Sequence, residues 1–200
     1  MRIKIILLDL GGVLVELAGV KRLIELMGNN ITPDELSGRW AKSEYVNLYE
    51  SGKCDTTTFA RGFIKEFNID ISPEDFIKEF ILYAKDFFPG VVELLREIKS
   101  KYTLACLSNT NISQWNGLCE RISIDKYFDY NFLSFEIGVM KPEPGIYTYA
   151  IEKLGCNPDE IAFFDDTSAN IQAGINAGMN AYRVVGVEDL REKLRGLGLM

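Results

Sequence analysis

What most limits the fold is the way short apolar runs are cut off by small polar or acidic residues. Ile3–Leu8, Thr103–Leu107, Asn131–Leu133, Ile161–Phe164 and Ala181–Val185 read as strands. Most are near-continuously apolar rather than alternating, the pattern of strands covered on both faces, as in a parallel sheet. From Phe88 onward they alternate with amphipathic stretches. Gly90–Lys101 carries Val91, Val92, Leu94, Leu95 and Ile98 at helical spacing, and Pro144–Leu154 and Ser168–Gly178 read the same way. Such alternation predicts right-handed βαβ units and an α/β fold with a Rossmann-like, doubly wound parallel sheet.

The stretch from about Val15 to Phe87 reads differently, with helices and no strand. Helix starts are marked by Thr32-Pro33-Asp34-Glu35 and Ser72-Pro73-Glu74-Asp75: an N-cap hydroxyl, proline at the first helical position, then acids in the first turn. Phe59, Phe63 and Phe67, and Phe76, Phe80 and Tyr83, fall on single helix faces, as the core of a small bundle would require. The expected organisation is therefore a core domain, residues 1–14 plus 88–200, with a helical module, 15–87, inserted after the first strand.

Composition removes several functions. The 200 residues carry a net charge of −7, which speaks against a nucleic-acid partner wanting a basic face. The apolar run Ile5-Ile6-Leu7-Leu8 is stopped by Asp9, too early for a secretory core, and nothing approaches the ~18 apolar residues of a membrane span. No membrane association and a cytoplasmic setting are expected. Cys54, Cys106, Cys119 and Cys156 form no CxxC pair, so structural zinc is not expected. The chain contains no histidine, which excludes Ser-His-Asp and Cys-His nucleophile systems and histidine metal triads. Carboxylates, hydroxyls, lysine and a hard metal are left to do chemistry.

Ligands of an open parallel sheet bind at the carboxyl ends of its strands. The first strand ends in Asp9-Leu10-Gly11-Gly12, a carboxylate leaving a buried run, followed by a flexible turn. The second ends in Ser108-Asn109-Thr110-Asn111, whose hydroxyls and turn amides suit phosphate oxygens or, equally, a helix N-cap. Lys141 stands in Met140-Lys141-Pro142-Glu143-Pro144, where prolines stiffen the segment and a lysine suits a fixed point charge. Phe163-Phe164 runs into Asp165-Asp166-Thr167-Ser168-Ala169-Asn170, and adjacent acids after an apolar run want a divalent cation.

With these four segments in order, the sequence resembles the haloacid dehalogenase-like superfamily over its whole length. The motifs are LLDLGGV, LSNTN, the lysine of MKPEP and FFDDTSANIQAGINAGM. Their forms are similar to subfamily IA phosphatases with a C1-type cap, including α-glucose-1-phosphatase-like proteins and the amino-terminal phosphatase domain of epoxide hydrolase. The helical module would then be the cap. The resemblance implies a Mg²⁺-dependent phosphatase of small phosphorylated metabolites, with a sugar phosphate favoured. Asp9 would be the nucleophile that forms an aspartyl-phosphate. Mg²⁺ would be held by Asp9, the Gly11 backbone carbonyl and Asp166; Ser108, Asn109 and Lys141 would bind the phosphate; Asp165 and Asn170 would stand behind these groups and orient them.

One departure matters. Most phosphatases of this superfamily carry an acid–base aspartate two residues after the nucleophile, where this chain has Gly11. A leaving group that departs easily would need less protonation, or a cap acid among Glu44, Glu50 and Asp55 would replace the aspartate. Arg39, Trp40 and Tyr45 are candidate cap contacts, and Trp115 a candidate for the entrance. Competing readings are a 2-haloacid dehalogenase, whose halide needs no proton, and a non-catalytic metal or phospho-ligand module. A phosphomutase would need the missing acid.

Overall fold

The computed structural model describes residues 3–200. Met1 and Arg2, counted above with the core, lie outside the described residues. The chain opens with strand β1 (Ile5–Leu8) and a short strand β2 (Val15–Leu17), then runs through five helices: α1 (Gly19–Leu26), α2 (Pro33–Lys42), α3 (Glu44–Glu50), α4 (Thr56–Phe67) and α5 (Pro73–Phe80). It returns through β3 (Ala84–Phe87) to α6 (Val91–Lys99), β4 (Thr103–Ser108), α7 (Ile112–Ile122), β5 (Tyr130–Leu133), α8 (Ser134–Ile137) and α9 (Pro144–Leu154). It ends with β6 (Ile161–Asp165), α10 (Ser168–Asn176), β7 (Asn180–Arg183) and α11 (Gly186–Gly196).

The main sheet has the order β5-β4-β1-β6-β7, and each neighbouring pair is parallel. Every residue of β1 and β6 is buried, which is why these strands show no polar alternation in sequence. Alternate residues supply two cores. Ile6, Leu8, Leu104, Cys106 and Phe164 pack with Leu94 and Leu95 of α6, Leu118 of α7 and Leu190 of α11. Ile5, Leu7, Ala105, Leu107 and Phe163 pack on the other face with Ile146, Tyr147 and Ala150 of α9. This is the expected α/β doubly wound architecture.

The helical module has a third, aromatic core. Phe59 of α4 lies 4.4 Å from Tyr49 and 4.8 Å from Phe80 between ring centroids, and Phe63 lies 5.3 Å from Phe76. The two expected N-caps are present. Glu35 N donates to Thr32 Oγ1 while Thr32 N donates to Glu35 Oε2 at 2.8 Å, and Asp75 N donates to Ser72 Oγ.

The expectation of no strand between Val15 and Phe87 fails at both ends of that stretch. β2 and β3 form an antiparallel ribbon, with Val15 opposite Phe87 and Leu17 opposite Ala84. Segments this short and mixed in polarity, VEL and AKDF, carry no period to read. They become strands because the chain leaves and re-enters the core at neighbouring points. Among the described residues, no helix is long and apolar enough to cross a membrane.

Candidate active site

Register places the polar residues together. Leu8 is level with Cys106 of β4 and Phe164 of β6, so Asp9 leaves the sheet level with Leu107 and Asp165, one residue short of Ser108 and Asp166. β1 lies where successive connections leave to opposite sides, the crevice in which open α/β sheets bind ligands. Asp9 remains tied to the ladder, its N–H donating to Phe164 O at 2.9 Å. Its Oδ1 accepts from Leu10 N at 2.7 Å and lies 2.9 Å from Lys141 Nζ, while Oδ2 has no hydrogen-bond partner among the described residues.

Lys141 is 4% exposed and bridges two acids, donating to Asp165 Oδ2 at 2.6 Å as well as pairing with Asp9. Its main chain is clamped by Asn109: Lys141 N donates to Asn109 Oδ1 at 2.8 Å, and Asn109 Nδ2 donates to Lys141 O at 2.9 Å. The Lys141–Pro142 peptide is cis. Asn109, expected at the phosphate, lines the cavity and spends its side chain on the lysine segment. Ser108 is buried at the end of β4. Asn111 caps α7, accepting from Gln114 N, so the polar run after β4 serves both the sheet edge and the helix start.

Asp165 is fully buried and fully engaged. It accepts from Lys141, from Thr167 N at 2.8 Å and from Asn170 Nδ2 at 3.0 and 3.1 Å. Asp166 accepts from Thr167 Oγ1 on one oxygen. Its other oxygen lies against Gly12, which has φ +73° and no room for a Cβ. Carboxylate oxygens of Asp9, Asp165 and Asp166 fall within 4.8 Å of one another. The Gly11 carbonyl accepts no hydrogen bond among the described residues. Hard oxygen donors beside a single buried ammonium fit a small divalent cation. With Asp165 already saturated, Asp9, Asp166 and the Gly11 carbonyl are the donors left for it.

The electrostatics follow from burial. Desolvation pushes Asp9 up to about 7, with Asp165 adding to the rise and Lys141 opposing it. Asp166 is raised by burial and by Asp165. Burial disfavours the Lys141 ammonium, but Asp9 and Asp165 more than offset that and hold it charged.

Above these groups lies a cavity of about 660 Å³ roofed by the helical module, where Leu36, Trp40, Val46 and Glu50 face Asp9, Asn109, Lys141 and Asp166. Of the candidate contacts, Trp40 lines it and Arg39 and Tyr45 do not. Trp115 is also displaced from expectation: it is 8% exposed in the core under the sheet, and its neighbour Gln114 reaches the cavity instead. Glu44 is exposed, and Asp55 is exposed and caps α4 through Thr58 N, whereas Glu50 is buried at the cavity wall.

Two further residues hold the site and carry no sequence motif. Ser134 Oγ accepts from Thr110 N and donates to Thr110 O, pinning the loop after β4. Tyr147 OH donates to Asn170 O at 3.0 Å. A small residue after β5 and a buried tyrosine in α9 were the only signals available.

The profile of the haloacid dehalogenase-like hydrolases matches residues 3–178. The chain is 26% identical over 156 residues to the chloroplast flavin mononucleotide hydrolase 1 of Arabidopsis thaliana, covering 76% of this chain and spanning 61% of the plant protein. It is 23% identical over 199 residues to the D-ribitol-5-phosphate phosphatase of Bacteroides thetaiotaomicron, covering 96% and 97% of the two chains. Its structure is similar to a haloacid dehalogenase family enzyme of Bacteroides thetaiotaomicron, solved with magnesium and inorganic phosphate. The TM-score is 0.75 at 26% identity, over 90% of this chain and 93% of that one.

Proposed function

Since the chain belongs to the haloacid dehalogenase-like hydrolase family, we propose that it is a Mg²⁺-dependent phosphatase of small phosphorylated metabolites that works through an aspartyl-phosphate on Asp9. The observation that carries the reading is the Asp9 carboxylate, pinned through Oδ1 with Oδ2 free, beside a buried lysine and Asp166 at the floor of one cavity. The magnesium-and-phosphate complex of the Bacteroides enzyme and the phosphatase relatives support the same chemistry.

In this reading Asp9 attacks phosphorus in line as the ester oxygen leaves, and water then cleaves the acyl phosphate. Lys141 and Ser108, with the main-chain N–H groups after β4, hold the non-bridging oxygens and offset the charge that spreads onto them. Asp165 keeps Lys141 aimed and charged, and Asn170 keeps Asp165 in place. Bound at Asp9, the Gly11 carbonyl and Asp166, Mg²⁺ would supply further neutralisation of phosphoryl charge. A phosphorylated carbohydrate suits the cap side, where Trp40, Asn47 and Gln114 line the wall with polar groups for sugar hydroxyls. Four free cysteines accord with a reducing, cytoplasmic setting.

The test is phosphate release from p-nitrophenyl phosphate, sugar and polyol phosphates and flavin mononucleotide, with Mg²⁺ and with chelator. Release that needs both Mg²⁺ and Asp9 is expected. If Asp9→Asn or chelator leaves release unchanged, or halide is released from a 2-haloacid instead, the reading is wrong.

A further inference from the structure

Four carboxyl side chains line the cavity among the described residues: Asp9, Glu50, Glu143 and Asp166. If the phosphatase reading holds, Asp9 is the nucleophile and Asp166 a metal donor. Glu143 is exposed at the N-cap of α9. Of the four, Glu50 is the one buried on the cap side, and the position two residues after Asp9 is Gly11. We propose that the Glu50 carboxyl is the general acid–base group of this enzyme, supplied from the cap.

Its placement is built. Glu50 is the last residue of α3, and both neighbours of that turn are fastened to the core. Tyr49 OH shares a hydrogen bond of 2.5 Å with Ser113 Oγ of α7. Gly52, at φ +67°, lies so close to the Phe135 carbonyl of α8 that a Cβ has no room. The turn is therefore seated on the rim of the site, with Glu50 facing in. Lys141 and Asp9 of the core and the Trp40 indole of α2 are the polar or charged groups that act on it. Burial outweighs Trp40 and Lys141 and raises the carboxyl above its ordinary range, the direction a proton donor needs.

The step balances. As the Asp9 Oδ–P bond forms and the P–O(ester) bond breaks, the Glu50 proton passes to the ester oxygen and the alcohol leaves neutral. Glu50, now a carboxylate, takes a proton from the water that attacks the aspartyl-phosphate. Inorganic phosphate departs, and both carboxyls return to their starting states.

A proton donor matters in proportion to the basicity of the leaving group. Glu50→Gln, nearly isosteric, is to be compared with wild type on an alkyl phosphate and on p-nitrophenyl phosphate, with a urea midpoint to show that it folds. The expected result is a fall in kcat of ~10²–10⁴-fold on the alkyl ester. The fall on the nitrophenyl ester should be under about tenfold, and the limb of the pH–rate profile that reports the acid should be lost. An equal loss on both esters, or none on either, overturns the proposal. If wild type itself releases phosphate from no ester, the phosphatase reading fails first. Should Glu50→Gln not fold, the wild-type enzyme decides, through kcat measured across aryl and alkyl phosphates of rising leaving-group basicity. A shallow dependence is expected if a protonated acid serves the leaving oxygen, whereas a fall of ~10²-fold or more from the nitrophenyl to the alkyl ester shows that no acid is there.

Discussion

Replacing Asp9 with asparagine should make the metal-free protein more stable while removing its activity. Asp9 has an ordinary carboxyl value of 3.8 and is pushed up to about 7 in the fold. Between those values the folded chain holds a proton that the unfolded chain has lost, so stability falls as pH rises across this window. The cost is absent below about pH 4 and complete above about pH 7. At ~1.4 kcal/mol for each tenfold in proton affinity, it is on the order of 4 kcal/mol. Asparagine stands in for the protonated acid: its carbonyl can take the Leu10 N–H and face Lys141, with the amide turned to the free Oδ2 side. Imperfect hydrogen bonding lowers the expected gain to about 2–4 kcal/mol at pH 8, or about 5–10 °C in Tm. The assay is urea unfolding of both proteins in chelator at pH 4, 6 and 8, repeated with Mg²⁺. The gain should be near zero at pH 4, should grow to pH 8, and should shrink when Mg²⁺ neutralises wild-type Asp9. A variant no more stable than wild type at pH 8 in chelator, or a gain independent of pH, would refute the argument that burial dominates this carboxyl.

Lys141→Met leaves Asp9 and Asp165 without their shared cation, and should cost about 3–5 kcal/mol in urea unfolding. Phosphate release should fall by ~10²–10³-fold in the same variant, measured at saturating Mg²⁺. Gly12→Ala places a Cβ on the Asp166 oxygen at a positive φ. Its Mg²⁺ requirement, read from a metal titration of turnover, should rise about 10–100-fold. Phe59→Ala removes the ring at the centre of the cap's aromatic cluster and should cost about 3–5 kcal/mol, seen as an early loss of near-ultraviolet aromatic signal on heating.

Composition exposed the sheet because burial on both faces leaves only apolar residues to choose from, and each polar residue that ends such a run had to lie at an edge. Hence Asp9, Ser108 and the Asp165-Asp166 pair could be placed from sequence. Lys141 was legible from its flanking prolines, but its anchoring was not. Its partner Asn109 lies far away in the chain, and nothing local says that an amide will turn to a distant main chain rather than to a ligand. Trp115 and Gln114 show a related limit. They are one step apart on α7, about 100° around the helix, and only the packed neighbours decide which points to the core. The choice among Glu44, Glu50 and Asp55 also needed tertiary structure, because three acids in one helical region look alike until burial separates them. β2 and β3 were hidden for a different reason: pairing, not periodicity, makes them strands.

That ribbon has a consequence for how such a chain changes over time. Because Leu17 pairs with Ala84, everything between them is, topologically, the loop of a single hairpin. Closing a flexible loop twice as long costs only about 0.6 kcal/mol more. Material can therefore be added to or removed from the roof without moving the register of the five parallel strands or the residues at their ends. A core with a glycine where an acid is expected can then acquire that acid by insertion, from a part of the chain free to be rewritten.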